Sequence, residues 1–137
     1  MKYVCFFLIS SVLCICACKK ANEEVVVNDG LIGKWQLIKW AEGIGNGTFS
    51  YYYPDPKKPQ MIEFKKDSSF TANINSTYLK NYSEYGILNS RDLKFLPDLS
   101  STPPNTWSYK TSDGTNLKLY MHMVCIEGCF YEYQAIR

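Results

Sequence analysis

NLKLYMHM, residues 116–123, decides the fold. Leu117, Leu119, Met121 and Met123 fall on one side of an extended chain, and Lys118, Tyr120 and His122 on the other. A strand alternates faces at every residue, whereas a helix repeats every 3.6, so this pattern is a strand with one buried face. SFTANIN, residues 69–75, repeats it, with Phe70, Ala72 and Ile74 opposing Thr71, Asn73 and Asn75. Six further runs are broken by turn residues in the same way: residues 34–40, 60–66, 83–88, 92–96, 106–111 and 129–137. Asp67-Ser68, Asn89-Ser90 and Asp113-Gly114 mark tight reversals, and Asp-Gly between alternating runs is a strong hairpin signal. Two connections are long and read as loops, residues 41–59 and 97–105.

Eight sequential strands joined mostly by short loops imply an all-β fold. Apolar residues on one face only are the mark of an antiparallel sheet packed on one side. Such a meander closes into an eight-stranded antiparallel up-and-down barrel, which removes its exposed edges. A β-sandwich is the alternative. An eight-stranded barrel has an interior that side chains fill, or that holds one small ligand.

The N-terminus sets location. MKYVCFFLISSVLCICAC begins with the charge of Lys2, continues through a short apolar run at residues 4–15, and places small Ala17 before Cys18. That is the order of a secretory signal, and the apolar run is well short of the ~20 residues of a membrane-spanning helix. Ile15-Cys16-Ala17-Cys18 resembles a bacterial lipobox. The resemblance implies that residues 1–17 are a lipoprotein signal peptide and that Cys18 becomes the acylated first residue. Cys16 is the poorer candidate, since bulky Ile15 precedes it. Residues 18–29 then read as a polar tether that holds the domain off the lipid surface, with Lys19 and Lys20 either touching anionic head groups or part of an ordinary solvated linker, and residues 30–137 as one domain. Glu23-Glu24 after the cysteine is similar to the surface-export signals of some Gram-negative lipoproteins. The expected location is the bacterial cell envelope, lipid-anchored in the outer membrane.

The formal net charge is +2, and loss of Lys2 with the signal lowers it by one. Such balance argues against nucleic acid as a partner, because nucleic-acid binders carry a clustered basic excess. Three cysteines outlast the signal: Cys18, Cys125 and Cys129. With Cys18 acylated, the other two form a pair in an oxidising compartment. CIEGC includes Gly128, which supports a tight reversal and a Cys125–Cys129 disulfide. Metal binding is the rival reading, but it needs further ligands, and His122 is the chain's only histidine.

GLIGKWQL, residues 30–37, looks like the opening of a lipocalin-like domain, with Gly33-x-Trp35 starting the first strand. MIEFKKDSSFTAN, residues 61–73, resembles the second hairpin of bacterial lipocalin-like lipoproteins, and residues 117–137 are similar to their last two strands. The resemblance implies that a basic residue of the final strand, here Arg137, crosses Trp35 and seals one barrel end through a cation–π contact.

The chain holds no nucleophile elbow, phosphate loop or two-histidine metal motif, so neither a cofactor nor an enzymatic activity is expected. Glu63, Glu84, Glu127 and Glu132 offer carboxylates, but nothing in their spacing makes two converge. The aromatic excess, 11 Tyr, 7 Phe and 3 Trp, is the stronger lead. Aromatic rings with polar tips line clefts for small ligands, and they also fill small barrels. Tyr53, Trp107 and Tyr109 are the candidate contacts for a small hydrophobic or amphipathic ligand. The alternative is a solid barrel whose loops meet a surface protein partner. In YYYPDP, three successive tyrosines cannot all point inward, so at least one faces solvent or covers the barrel mouth.

Overall fold

The computed structural model of the chain describes residues 28–74, 79–98, 105–121 and 128–137. Among the described residues nine strands occur in chain order: β1 Gly33–Gly45, β2 Thr48–Tyr52, β3 Met61–Phe64, β4 Phe70–Ala72, β5 Glu84–Ile87, β6 Asp92–Leu96, β7 Thr106–Ser112, β8 Asn116–Met121 and β9 Cys129–Ile136. One 3-10 turn, Leu79–Asn81, precedes β5. Eight strands lie side by side in the order β4-β3-β1-β9-β8-β7-β6-β5, each pair antiparallel. The seam between β4 and β5 is bridged at Ser69–Glu84. There the Phe70 amide donates to the Ser83 carbonyl at 2.7 Å and the Tyr85 amide to the Ser68 carbonyl at 2.9 Å. The sheet is thus nearly closed into an up-and-down barrel, and the sandwich alternative is set aside by this single sheet.

All eight expected strands are present, and the long connection at residues 41–59 departs from expectation. It is not a plain loop. β1 continues to Gly45, and β2 returns along it from Thr48. The reversal is at Asn46 and Gly47, with φ of 59° and 78°. Positive φ at both central positions is a primed turn, whose twist matches the strands on either side. β1 therefore has two partners on one edge: β3 along residues 33–36 and β2 along residues 40–45. Its other edge runs along β9.

A bulge in β1 changes which residues face the core. Leu37 pairs with Tyr133 and Lys39 with Glu132, so Ile38 is an extra residue in the ladder. One added residue moves the following side chains to the opposite face. Trp35 and Leu37 point inward before the bulge, and Trp40 packs against the core after it.

The interior is filled largely by aromatic rings. Phe95 lies 4.9 Å from Phe70, 5.4 Å from Tyr82 and 5.8 Å from Trp107, centroid to centroid. Phe64 lies 5.0 Å from both Phe70 and Tyr85. Trp35, Leu37, Ile62, Leu79, Leu93, Leu117, Leu119 and Tyr133 are fully buried as well.

One end of the barrel holds the start of β1. The Trp35 indole N–H donates to the Leu31 carbonyl at 2.8 Å, both groups buried. Gly33 has φ +139°, and a Cβ there would lie 2.2 Å from Cγ of Asn28. That close approach gives the Gly-x-Trp start its physical reason. Asn28 also donates its side-chain N–H to the Lys34 carbonyl at 2.9 Å and its amide to the Gly114 carbonyl at 2.8 Å. The last residues assigned to the tether, Asn28 and Asp29, are therefore docked onto the barrel. Residues 1–17, Cys18 and residues 19–27 lie outside the described residues.

Candidate interaction surface

β2 is a short strand whose one partner among the described residues is β1. Its register sets Tyr51 opposite Ala41 and Phe49 opposite Gly43. On the other side of β1, Ala41 faces Phe130 of β9, and Phe130 faces Tyr120 of β8. Small residues on β1 thus run between large rings on its neighbours. Ala41 is fully buried yet stands outside the core cluster. It lies on the outer face, between its register partners Tyr51 and Phe130.

The rings form one continuous outer patch. Centroids lie 6.5 Å apart for Phe49–Tyr51, 6.1 Å for Phe49–Phe130, 6.4 Å for Tyr51–Phe130 and 6.1 Å for Tyr120–Phe130. Phe49 and Tyr51 are exposed, at 37% and 53%. Ile44, Tyr52 and Tyr53 of the same segment are exposed as well, so most large apolar residues on the described surface gather on this hairpin and just after it. Exposed apolar residues collected in one place mark an interaction site more than the same residues scattered singly do.

Charged groups border the patch. Glu132 lies between Lys39 at 3.0 Å and Lys118 at 3.4 Å. The two ammonium groups also sit over rings, Lys39 5.9 Å from the Tyr51 centroid and Lys118 5.0 Å from that of Phe130. Burial by itself would raise the Glu132 carboxyl; the Lys39 hydrogen bond and the charges of Lys118 and Lys39 outweigh it and hold the group below the usual carboxylate range. The hydrogen bond to Glu132 in turn raises Lys39. The Lys39–Glu132 pair therefore keeps both charges at neutral pH, and Lys39, Glu132 and Lys118 follow one another across β1, β9 and β8.

The residues singled out from the sequence are scattered. Trp107 is fully buried in the core, and Tyr109, two residues along β7, is half-buried against it. Tyr53 is 71% exposed after β2. The three do not share a site, because Tyr53 projects into solvent and Trp107 lies inside. Tyr51 and Tyr52 are exposed with Tyr53, so all three successive tyrosines face solvent. Trp35 is fully buried near the start of β1, and Arg137 lies exposed two residues beyond Ala135, the register partner of Trp35. Cys129 is buried at the start of β9. Cys125, His122, Glu127 and Tyr78 lie outside the described residues. Among the described residues no three His, Cys, Asp or Glu side chains gather as metal ligands.

Phe130 was not among the residues read as functional, although the sequence carried a signal. In CFYEYQAIR it shares a face with Glu132 and Gln134, so an aromatic occupies the polar side of an alternating strand. No protein-family model, curated protein or solved structure matches the chain.

Proposed function

We propose that this chain is a lipid-anchored protein of the bacterial envelope, with a lipocalin-like barrel packed solid, that binds another protein through the aromatic outer face of β2, β1, β9 and β8. The observation that carries this reading is the continuous patch of Phe49, Tyr51, Phe130 and Tyr120 outside a barrel whose inside is occupied by its own rings. Tyr and Phe are enriched in protein interfaces because they supply large contact area at a small entropic cost. β2 adds a short edge that an extended partner segment can join by main-chain hydrogen bonds. A Cys125–Cys129 disulfide belongs to the same reading and would tie the start of β9 to the segment before it. Acylation at Cys18 supplies the membrane partner.

The test is a photoreactive phenylalanine analogue placed at Tyr51, in living cells, against the same group at Lys94 on another outer face. Expected is a discrete cross-linked adduct from position 51 and none from position 94. Absence of an adduct at 51, or equal adducts at both, rejects the reading.

A second reading, a small ligand held inside the barrel, is favoured by a separate observation. The hydroxyls of Tyr82 and Tyr133 are buried and meet no hydrogen-bond partner among the described residues. Burial pushes the Tyr133 phenol well above its usual range, with the neighbouring Tyr131 adding to it. An unmet buried hydroxyl costs about 1–3 kcal/mol. Tyr133→Phe removes it, so in a solid interior the variant should be as stable as the wild type or more so, by up to about 2 kcal/mol in urea unfolding. A loss of stability instead means that the hydroxyl meets a bound polar group and favours the ligand reading.

A further inference from the structure

The β5–β6 turn creates a second feature, which adjoins the aromatic patch at Tyr120. β6 pairs with β7 only at residues 92–94, while β7 runs on to Ser112 against β8. Past the last rung the turn at Asn89–Arg91 stands beside the free stretch of β7, and the space between them is a cleft of about 730 Å³. Arg91, Lys110, Asp92, Ser108, Tyr109 and Tyr120 are among its lining residues. The turn is fixed in place: Arg91 donates its amide to Oδ1 of Asn89 at 2.8 Å, and its carbonyl accepts from the Tyr109 amide at 2.6 Å.

The charges in the cleft are unequal. The Asp92 carboxylate is already engaged, accepting from the Ser108 hydroxyl at 2.7 Å and from the Asn89 side-chain N–H at 2.8 Å. None of the ion pairs Lys39–Glu132, Lys118–Glu132 and Lys94–Asp98 engages Arg91 or Lys110. The guanidinium of Arg91, the ammonium of Lys110 and the hydroxyls of Ser90 and Thr111 around one opening form a donor set for a phosphate ester.

The position of the cleft narrows the source of that phosphate. Asn28, where the described chain begins, is bonded to Gly114 in the turn that follows Lys110 and Ser112. Residues 18–27, fully extended, span at most about 35 Å. A barrel tethered from Cys18 thus presents this end, not the β1–β2 hairpin turn at the opposite end of β1, to the bilayer.

We propose that the cleft between the β5–β6 turn and β7 binds the phosphate-bearing headgroup of an anionic lipid. The choice of lipid over a free phosphate compound rests on the anchoring reading above. The test uses the full chain in detergent, titrated with dihexanoyl phosphatidylglycerol, dihexanoyl phosphatidylcholine and inorganic phosphate, and followed by amide NMR shifts. Expected are shifts at residues 89–92 and 108–111 with phosphatidylglycerol and not with phosphatidylcholine. Affinity should fall about tenfold or more in the Arg91→Gln/Lys110→Gln double variant, as for loss of charge-assisted hydrogen bonds. Lys57→Gln, on an exposed loop elsewhere, should bind as the wild type does. Inorganic phosphate binding as tightly as the lipid, with the same loss in the double variant, assigns the cleft to a free phosphate compound and overturns the membrane part. Absence of shifts with both anions, or equal affinity in wild type and double variant, overturns the whole. Acylation is read separately from intact mass, so an unacylated chain that still binds the headgroup sinks the anchoring reading and leaves the cleft standing.

Discussion

Phe95→Ala should lower the free energy of unfolding by about 3–5 kcal/mol, the range for deleting a fully buried ring. Phe95 has no exposed surface. Its ring bridges the barrel from Phe64 and Phe70 on β3 and β4, through Tyr82, to Trp107 on β7. These contacts cross the β4–β5 seam, where the strands are tied by one bridge and a few backbone bonds rather than a full ladder. Side-chain packing therefore does at the seam what hydrogen bonding does elsewhere. A domain of this size has about 5–15 kcal/mol of stability in all, so the variant should be close to unfolding at room temperature. Phe95→Leu keeps part of the volume and should cost less. Urea unfolding of both variants checks this. A loss below about 1 kcal/mol for Phe95→Ala is incompatible with a solid aromatic interior, since a cavity of that size would have to collapse without cost.

The barrel was legible because one physical rule, alternation between a wet and a dry face, operates in nearly every strand. Leu117, Leu119 and Met121 are buried as their spacing requires, and Asp113-Gly114 turns β7 into β8 with φ of 50° and 66°. The rule gives strands and turns but not closure. Whether the sheet closes or folds over as a sandwich depends on the meeting of Ser69 with Glu84, two residues of no distinctive type. The rule also failed at β2. TFSYY alternates weakly, since Phe49, Tyr51 and Tyr52 are all large and all exposed, and the Asn46-Gly47 turn that precedes it went unread inside a segment crowded with Gly and Pro. That segment carries the aromatic patch. Local pattern reports burial, and the patch is made of apolar residues that are not buried, which is why Phe130 escaped notice. The bulge at Ile38 hid the rest. It places Lys39 and Ala41 on the outer face, whereas strict alternation from Trp35 and Leu37 puts both inside. Trp107 and Tyr109 were readable as aromatic but not as core, because composition does not say whether a ring fills a barrel or lines its mouth.

Cys18→Ala should abolish acylation altogether, because a lipobox modifies only the cysteine after the cut, which in Ile15-Cys16-Ala17-Cys18 is Cys18 on the proposed reading. Each buried methylene contributes about 0.8 kcal/mol, one chain binds a bilayer only marginally, and two or more hold a protein there. The effect is therefore all or none, unlike the graded losses of a core substitution. Membrane fractionation is a poor readout, since the apolar run at residues 4–15 stays attached when processing fails and holds the precursor on the membrane by itself. Incorporation of radiolabelled palmitate and intact mass are direct. Expected are full labelling of the wild type, labelling at background for Cys18→Ala, and wild-type labelling for Cys16→Ala. If Cys18→Ala labels normally and Cys16→Ala does not, the lipid moves to Cys16 and the tether lengthens by two residues, which leaves the barrel at the same bilayer. If neither substitution alters labelling, or the wild type takes up none, the chain is not an acylated protein, and the end of the barrel at Asn28 has no membrane to face.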